Sequence, residues 1–455
     1  MLHYRSPWGI GDVHPYYKDG ELYLFYLRPN GIVRCDACFE DPQKVVCTYG
    51  SLSRTTDYIH WQMVPTDEVV LNIVKGDDFY YCCRGTQAVS FIESRNLVHW
   101  QPSKAFRLKQ DARLFPAGAR DFACFWDDDL SGMRVTMNAY MTNEHKSIGH
   151  GMECCVGISG VLNTAGDETP AQKVLLPIDN SCKDLWHSQE PECNQMIRIG
   201  SRWYLIASMA RRTVHWVGAP SYWIGEENTP IDAQNWGAKQ EHILESEDLC
   251  AAQVADNNGR FYLFGWIPMN YSGQEWGGHL NLPHEVYPLA GGLLGVRLDA
   301  DFAKRIKGKT TFHPVDGLIE YNGGVRLQSW PSDPCFGLLL ILKPGSGYTA
   351  AVMLDEATGL TVLLERPQQR MRVVRVEKEH VAFTYSSLFI PAEEWLNDMN
   401  LHVIADEDIV EAFLNDRYAL CARVDKPYGP GTTSVWVDGT IRVAALETYT
   451  FCVKI

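Results

Sequence analysis

The chain has 455 residues, more than the roughly 250–300 that one hydrophobic core organises, so the sequence predicts two domains. Hydrophobic residues make up 45% and charged residues 21%, a globular composition that excludes wholesale disorder. The net charge of −15 argues against a nucleic-acid partner, because nucleic-acid binders need a concentrated basic face, and favours small neutral or metabolite ligands.

The amino-terminal segment and the cysteines bear on location. The chain opens MLHYRSPWG, without the apolar stretch of a secretory signal, and no run approaches the roughly 18 apolar residues that cross a bilayer. The 14 cysteines form no paired CxxC array, since Cys35 and Cys38 have no second pair nearby. We therefore expect a cytoplasmic protein with reduced thiols, no metal site and no membrane partner.

Short strand patterns dominate the first two thirds of the chain. Three segments share a Gly turn followed by an aromatic-aliphatic strand: DGELYLFYL (19–27), GSRWYLIAS (200–208) and NGRFYLFGW (258–266). A second pattern, TTDYIHWQ, recurs as SRNLVHWQ, which places Trp61 and Trp100 39 residues apart. Strand repeats of about 40–50 residues are typical of propeller blades, the alternative being coincidental similarity among hairpins.

The sequence changes character after about residue 295. Residues 298–318 are basic and carry no aromatic-aliphatic strand, so we predict a linker there. Alternating strands resume beyond it, as in LTVLLERP and SVWVDGTIRVAAL, which favours an antiparallel sandwich. The predicted organisation is an all-β propeller over 1–297, the linker, and a β-sandwich over 319–455.

Three acids occur at similar places in the strand pattern. Asp12, Asp121 and Glu192 each lie at or near the start of a strand that leads into a hairpin. Because the first strand of every propeller blade lines the central channel, these acids are expected to converge on one pocket. Glycoside hydrolysis needs such a set, with one ionised carboxylate and one protonated carboxylic acid. For each acid alone, a turn or capping carboxylate is the alternative.

Short motifs also follow one another in a specific order. They are WGIGD (8–12), LYLFY (22–26), TTDYIHW (55–61), RGTQAV (84–89), RDF (120–122), ECN (192–194), DLCAAQ (248–253), GRFYLFGW (259–266), WGGHLNLPHEV (276–286) and IVEAFLNDRYALCARV (409–424). Taken together, they resemble glycoside hydrolase family 32, the β-fructofuranosidases, invertases and fructanases. The resemblance spans nearly the whole chain and implies a five-bladed propeller followed by a β-sandwich.

The resemblance implies a role for each acid. Asp12 matches the nucleophile that attacks the fructosyl anomeric carbon, and Glu192 matches the general acid and base. Asp121 matches the residue that binds sugar hydroxyls and stabilises the oxocarbenium-like transition state. The implied reaction is a retaining double displacement without cofactor or metal, in which Arg120 is expected to keep Asp121 ionised.

Further residues are candidates for binding a small carbohydrate. Trp8, Trp276 and also Trp266 are candidates for the aromatic wall of a sugar pocket, each with a role in the core as its alternative. The remaining candidates for hydrogen bonds to sugar hydroxyls are Arg84, Gln87, Arg120 and His14; for Arg84 the alternative is a surface position, and for His14 a structural one.

Several neighbours of the acids depart from the family pattern. The asparagine before the nucleophile is Gly11 here, the second asparagine is His14, and R-D-P, E-C-P and L-P-R-E-L carry Phe122, Asn194 and His284 instead. The reaction type is therefore better supported than the substrate. A propeller glycosidase acting on an arabinoside or xyloside, a fructosyltransferase and an inactive carbohydrate-binding propeller remain alternatives, and the oligomeric state is not predicted.

Overall fold

A computed structural model of the protein describes residues 1–29, 48–66, 68–85, 89–141, 154–162, 170–178, 189–211, 219–269, 277–314, 318–343, 345, 348–425 and 431–453. Five antiparallel sheets of four or five strands are followed by one sheet of eleven strands. In each of the five, the strands pair mostly in chain order, which is the arrangement of propeller blades. The predicted five-bladed propeller followed by a β-sandwich is confirmed.

The strands of the propeller can be grouped by blade. Blade 1 comprises β1 Val13–Lys18, β2 Glu21–Pro29, β3 Thr48–Thr55 and β4 Gln62–Val64; blade 2 comprises β5 Ile73–Lys75, β6 Tyr80–Arg84, β7 Ser90–Ser94 and β8 Gln101–Pro102; blade 3 comprises β9 Ala119–Asp127, β10 Gly132–Tyr140, β11 Cys154–Ser159 and β12 Gln172–Pro177. Blade 4 comprises β13 Gln189–Ile199, β14 Arg202–Arg211, β15 Ala219–Ile224 and β16 His242–Ile243, and blade 5 comprises β17 Cys250–Asn257, β18 Arg260–Pro268, β19 Gly278–Leu280, β20 His284–Pro288 and β21 Leu294–Leu298. Short 3-10 helices lie at Ile231–Ala233, Trp236–Ala238 and Ala290–Gly292.

The three glycine-turn segments form the second strands of blades 1, 4 and 5. In blade 1 the turn residues Asp19 and Gly20 both have positive φ, 53° and 79°. A two-residue turn with this geometry matches the right-handed twist of the flanking strands, which explains the preference for Asp-Gly. A Cβ added at Gly20 would meet no atom within 4 Å, so backbone conformation, rather than space, favours glycine there.

The two Trp-containing repeats form equivalent turns between the third and fourth strands of blades 1 and 2. In the first, Asp57 accepts hydrogen bonds from the backbone N–H groups of Ile59 and His60, and the Trp61 indole donates to the Tyr58 carbonyl at 3.1 Å. In the second, Asn96 takes the place of Asp57, and the Trp100 indole donates to the Leu97 carbonyl at 3.2 Å. The repeated sequence pattern therefore reflects the same turn structure in both blades.

The C-terminal sheet folds back on itself around its own core. Its strands are β22 Lys307–Phe312, β23 Leu318–Ser332, β24 Cys335–Lys343, β25 Thr349–Asp355, β26 Leu360–Glu365, β27 Arg370–Glu377, β28 His380–Phe389, β29 Met399–Asp406, β30 Ile409–Leu414, β31 Tyr418–Arg423 and β32 Gly431–Phe451, with a 3-10 helix at Glu394–Leu396. β28 and β31 end the sheet order and contact each other, so the sheet is nearly closed. The apolar side chains of Leu340, Val362 and Val403 are buried inside it.

The segment 298–318, predicted as a linker, contains regular structure in its described part. Helix α1, Ala300–Ile306, is capped by Asp299, whose side chain accepts from the Phe302 N–H at 2.6 Å. β22 then pairs with β32, so this stretch already belongs to the sandwich sheet. The sequence pattern hid this because β22 is largely exposed and therefore lacks the apolar residues of a buried strand. The boundaries of the two domains stay a prediction.

The two domains share one apolar interface. A single buried cluster joins Leu263 and Val286 of blade 5 to Ile306 of α1 and to Ile404 and Phe413 of the sandwich. Removing these apolar side chains from water stabilises the contact between the two domains. In the described part of the chain, no helix combines the length and apolar character needed to span a membrane.

Candidate active site

Three of the strands that begin a blade carry the same backbone irregularity. β9, β13 and β17 each contain a bulge, where Asp121, Cys193 and Ala251 have φ values of 49°, 48° and 46°. Left-handed backbone is uncommon for residues other than glycine, and it is concentrated at functional sites. A bulge bends its strand and redirects the adjacent side chains, so these strands present groups that a regular strand would not.

The bulge defines how the acids correspond between blades. Asp121 occupies the left-handed position of β9, whereas Glu192 immediately precedes the left-handed residue Cys193 of β13. Aligned on the bulge, Glu192 therefore corresponds to Arg120. The sequence pattern placed Asp121 and Glu192 in similar settings; the structure shows that they are one residue apart in register.

Asp12 lies at the entrance to β1. The backbone on both sides of it is fixed by blade 1, because Gly11 N–H donates to the Leu27 carbonyl at 2.8 Å and the Asp12 carbonyl accepts from Leu27 N–H at 3.2 Å. The Trp266 indole of β18 also acts on the Asp12 carboxyl group, because it favours the ionised form and lowers the pKa of Asp12. Asp12 is thus held between the first and the fifth blade.

Asp121 contacts the strand of the following blade. Its Oδ2 accepts from the Cys193 N–H at 3.3 Å, and its carbonyl accepts from the Asn194 side-chain amide at 3.1 Å. A similar brace joins blades 4 and 5, where the Gln253 amide donates to the Cys193 carbonyl at 2.5 Å. These bonds fix the strands that carry Asp121 and Glu192 relative to each other.

Arg120 joins two glutamates of β13. Its Nε and Nη2 donate to Oε1 of Glu190 at 3.0 and 2.6 Å, and Nη2 also contacts Oε1 of Glu192. The hydrogen bonds of its guanidinium group go to these two glutamates, and the expectation that Arg120 keeps Asp121 ionised stays a prediction. Arg120 still interacts electrostatically with Asp121.

The charges of the site act on one another. Four carboxyl groups, those of Asp12, Asp121, Glu190 and Glu192, surround the single guanidinium group of Arg120 in the described part of the site. Burial, together with the charges of Glu190, Asp121 and Asp12, outweighs Arg120 and raises the pKa of Glu192 to about 8. The Glu192 side chain nevertheless remains 37% exposed, so an entering ligand can contact it.

Asp12 is less strongly perturbed than Glu192. Burial and the charge of Asp121 raise the pKa of Asp12 to about 6, while Arg120 and the Trp266 indole oppose the shift. Near neutral pH the site therefore holds a largely ionised Asp12 and a largely protonated Glu192. Two carboxyl groups whose pKa values are driven apart in this way are suited to one nucleophile and one proton donor.

The other predicted binding residues differ in their surroundings. Trp8 is 47% exposed, with the Arg28 guanidinium group 4.9 Å from the centre of its ring. His14 is buried, and this burial, which outweighs the opposing influence of the Asn72 side chain, lowers its pKa to about 4. Arg84 forms an ion pair with Glu68 at 2.6 Å. Their roles in binding stay predictions, and Gln87 and Trp276 lie outside the described residues.

Three of the departures from the family pattern have structural explanations. Phe122 is buried in an apolar cluster between blades 2 and 3, and Asn194 forms the brace to Asp121. His284 lies at the domain interface, with both ring nitrogens bonded to carboxylates. The other two changes lie directly beside Asp12, where Gly11 contributes its backbone N–H to blade 1 and His14 is buried.

Sequence reasoning missed the groups behind Arg120. Glu190, Asn138 and Tyr140 form a buried set in which Oε1 of Glu190 accepts from the Asn138 amide at 2.8 Å and from the Tyr140 hydroxyl. The spacing of Glu190 and Glu192 was a usable signal, because residues two apart on a strand share one face. Asn138 and Tyr140 gave no such signal, because they lie on β10, which pairs with β9 and is distant in sequence from Glu190.

One group of described residues has the geometry for a metal ion. The donor atoms of Glu245, His284 and Cys421 lie within 4.8 Å of one another and are buried. Both ring nitrogens of His284 are already bonded to carboxylates, and burial, reinforced by Glu245, raises the pKa of the Cys421 thiol well above its ordinary value. This group lies at the domain interface and includes none of the three acids Asp12, Asp121 and Glu192.

The sequence matches no protein-family model, and a search of curated proteins finds no match. Solved structures do match over nearly the whole chain. A GH32 β-fructofuranosidase of Bombyx mori is 16% identical with a TM-score of 0.68, covering 99% of this chain and 93% of that one. The chain has the fold of a GH32 β-fructofuranosidase.

Further solved structures support the same assignment of fold. Fructan 1-exohydrolase IIa of Cichorium intybus, solved as a variant with 1-kestose, is 10% identical with a TM-score of 0.71, covering 99% of this chain and 96% of that one. Sucrose-6-phosphate hydrolase of Lactobacillus gasseri is 14% identical with a TM-score of 0.68, covering 99% and 93%. The resemblance of the motifs is thus confirmed as a resemblance of fold, and the activity has to be argued from the site.

Proposed function

We propose that the protein is a retaining glycoside hydrolase that cleaves β-fructofuranosyl linkages of the sucrose, fructo-oligosaccharide or fructan type. The observation that carries the proposal is the setting of Glu192, whose carboxyl group contacts Arg120 within a cluster that also contains Asp12 and Asp121. Such a setting favours a protonated acid beside an ionised carboxylate, the pair that glycoside hydrolysis requires.

The first chemical step divides between the two acids. A carboxylate oxygen of Asp12 attacks the anomeric carbon of the fructosyl unit, while Glu192 transfers its proton to the departing glycosidic oxygen. The bond between the anomeric carbon and that oxygen breaks, leaving a fructosyl ester on Asp12 and an ionised Glu192. Asp121, fixed by the Cys193 N–H, stabilises the positive charge that develops on the ring.

The second step returns the enzyme to its starting state. Glu192, now ionised, removes a proton from water, and the resulting hydroxide attacks the anomeric carbon. Fructose is released, Asp12 regains its carboxylate and Glu192 regains its proton. A nucleophile that stays ionised and an acid that readily recovers its proton match the different pKa values of Asp12 and Glu192.

The proposed substrate is a small carbohydrate. Similar solved structures include the Bombyx mori enzyme as a variant in complex with sucrose and a Schwanniomyces occidentalis fructofuranosidase variant complexed with fructosylnystose. In this chain Gly11 and His14 replace amide side chains next to Asp12, and Gly11 offers no side chain for a hydroxyl group. We therefore expect weaker selection at the hydroxyl groups nearest Asp12.

A substrate panel tests this proposal. The purified protein is incubated with sucrose, 1-kestose, inulin and levan, and with aryl arabinofuranosides and xylosides, and the products are identified by chromatography and NMR. We expect free fructose, released first as the β-anomer. Pentose release alone, transfer products without free fructose, or sugar binding without turnover would each overturn the proposal in favour of one of the alternatives.

A further inference from the structure

Glu190 is a buried carboxyl group that the proposed chemistry does not use. It is 6% exposed, and its Oε1 accepts four hydrogen bonds, from Nε and Nη2 of Arg120, the Asn138 amide and the Tyr140 hydroxyl. A carboxylate with so many donors on one oxygen is held firmly in one orientation. The family motif on this strand does not account for Glu190, because that motif, ECN, begins at Glu192.

The position of Glu190 links it to Glu192. The two glutamates share one face of β13, and Arg120 extends from the neighbouring strand β9 between them. Two of the donor nitrogens of Arg120 are engaged by Glu190, and only Nη2 also contacts Glu192. Arg120 therefore makes more hydrogen bonds to Glu190, the more deeply buried glutamate, than to Glu192.

We propose that Glu190 is a positioning residue that holds Arg120 and balances its charge, so that Glu192 keeps its proton and can act as the acid. The inference rests on the proposed function. Without the charge of Glu190, Arg120 would face Glu192 as an unbalanced cation and would favour the ionised form. An ionised Glu192 could not protonate the departing glycosidic oxygen.

The charges around Glu192 act in both directions. Arg120 lowers its pKa, whereas Glu190, Asp121 and Asp12 raise it. Among the residues that the structure describes, the other titratable neighbours are Tyr140, Cys154 and Cys193, whose pKa values are raised by burial and which stay neutral near pH 7. Removing Glu190 therefore changes the balance in one direction only, towards a lower pKa of Glu192. The pKa of Asp12 is governed chiefly by its burial and by the charge of Asp121, so we expect a smaller effect there.

The test compares pH profiles of kcat/KM for the wild type and Glu190→Gln. We expect the basic limb, which reports Glu192, to move down by about one pH unit, with a smaller effect on the acidic limb. Asp232→Asn is the matched control, because Asp232 and Asp127 share Arg134 in a similar bridge away from the acids. A uniform loss of activity at every pH, with the basic limb in place, would overturn the proposal.

Two further measurements keep the test decisive. If Glu190→Gln does not fold, Glu190→Asp retains the charge but withdraws it from Arg120, and a smaller downward shift of the same limb is expected. Titration of glutamate ¹³Cδ resonances by NMR, with Glu192 assigned through Glu192→Gln, needs no substrate. An unchanged Glu192 titration in the Glu190 variant refutes the inference, whereas a wild type without fructose release refutes only the proposed function.

Discussion

Nε2 of His284 lies 2.9 Å from Oε2 of Glu411, across the boundary between propeller and sandwich. Nδ1 of the same ring is 2.7 Å from Glu245, and the other Glu411 oxygen is 3.1 Å from the imidazole of His3. His3 is in turn 2.8 Å from Asp406, so acids and imidazoles alternate along a fully buried chain. Removing one partner of such a network leaves buried charge uncompensated.

The His284→Leu variant tests this network. We expect it to lower the free energy of unfolding by about 3–5 kcal/mol, because Glu245 and Glu411 lose their shared partner. Urea unfolding at pH 6 measures the change. His380→Leu, at an exposed hairpin position, is the control and should leave stability within about 0.5 kcal/mol. Equal effects of the two substitutions would contradict a stabilising role for the network.

The same network predicts a pH window for stability. Burial opposes protonation of His284, but Glu411 and Glu245 together raise its pKa from 6.5 to about 10, so its contribution is complete below pH 6.5 and is lost towards pH 10. Burial also opposes ionisation of Glu411, but His284 and His3 hold its pKa well below its usual 4.5, so its contribution is lost on acidification. The stability difference between wild type and His284→Leu should therefore be largest between pH 4.5 and 6.5, as urea titrations across pH would show.

Substitution of Asp12 tests the nucleophile. Asp12→Asn keeps the size of the side chain and removes the attacking charge, so we expect kcat to fall by roughly 10³-fold or more with unfolding unchanged within about 1 kcal/mol. Fructose release and thermal unfolding measure the two effects. Asp19→Asn is the matched control, because asparagine readily adopts the positive φ of that turn. Similar kcat values for Asp12→Asn and wild type would refute the assignment.

The pH dependence of kcat/KM should be bell-shaped. Asp12 has to be ionised, so activity rises as pH passes about 6, and Glu192 has to be protonated, so activity falls as pH passes about 8. Initial rates of fructose release between pH 4 and pH 10 provide the profile. In Glu192→Gln, the residual activity should lose the basic limb. A basic limb that persists in that variant would assign it to a different group.

Substitution of Trp266 tests the assignment of the acidic limb of the kcat/KM profile to Asp12. Trp266→Phe removes the indole that lowers the pKa of Asp12, so the acidic limb should move to higher pH while the basic limb stays in place. Trp203→Phe is the control, because the Trp203 indole donates to Asp129 at 3.0 Å instead of to an acid of the site. The idea fails if both variants shift the acidic limb equally.

The fold was largely predictable because its signals are local. The turn at Asp19 and Gly20 and the repeated turns at Trp61 and Trp100 are each specified by a few adjacent residues, which sequence reasoning can recognise. The strand Lys307–Phe312 was missed because it is exposed and pairs with the last strand of the chain, far away in sequence. Pairing over that distance leaves no periodic pattern.

The site was predictable only as a set of acids. Asp12, Asp121 and Glu192 were identified from motifs, but the partners of Arg120 depend on which strands become neighbours in space. Glu190 and Tyr140 are 50 residues apart in sequence and meet only because β10 and β13 pack together. The one-residue offset between Asp121 and Glu192 also depends on bulges, which a pattern with a period of two does not reveal.

The bulges of β9, β13 and β17 have a consequence for engineering the protein. The position before the left-handed residue carries Arg120 in one blade and Glu192 in another, but in blade 5 it carries Cys250, which is buried and small. The same backbone geometry is therefore present at a third place, where the side chain packs in an apolar cluster with Val13 and Cys193. Substituting Cys250 with a polar residue would change this third bulge while leaving the three acids unaltered.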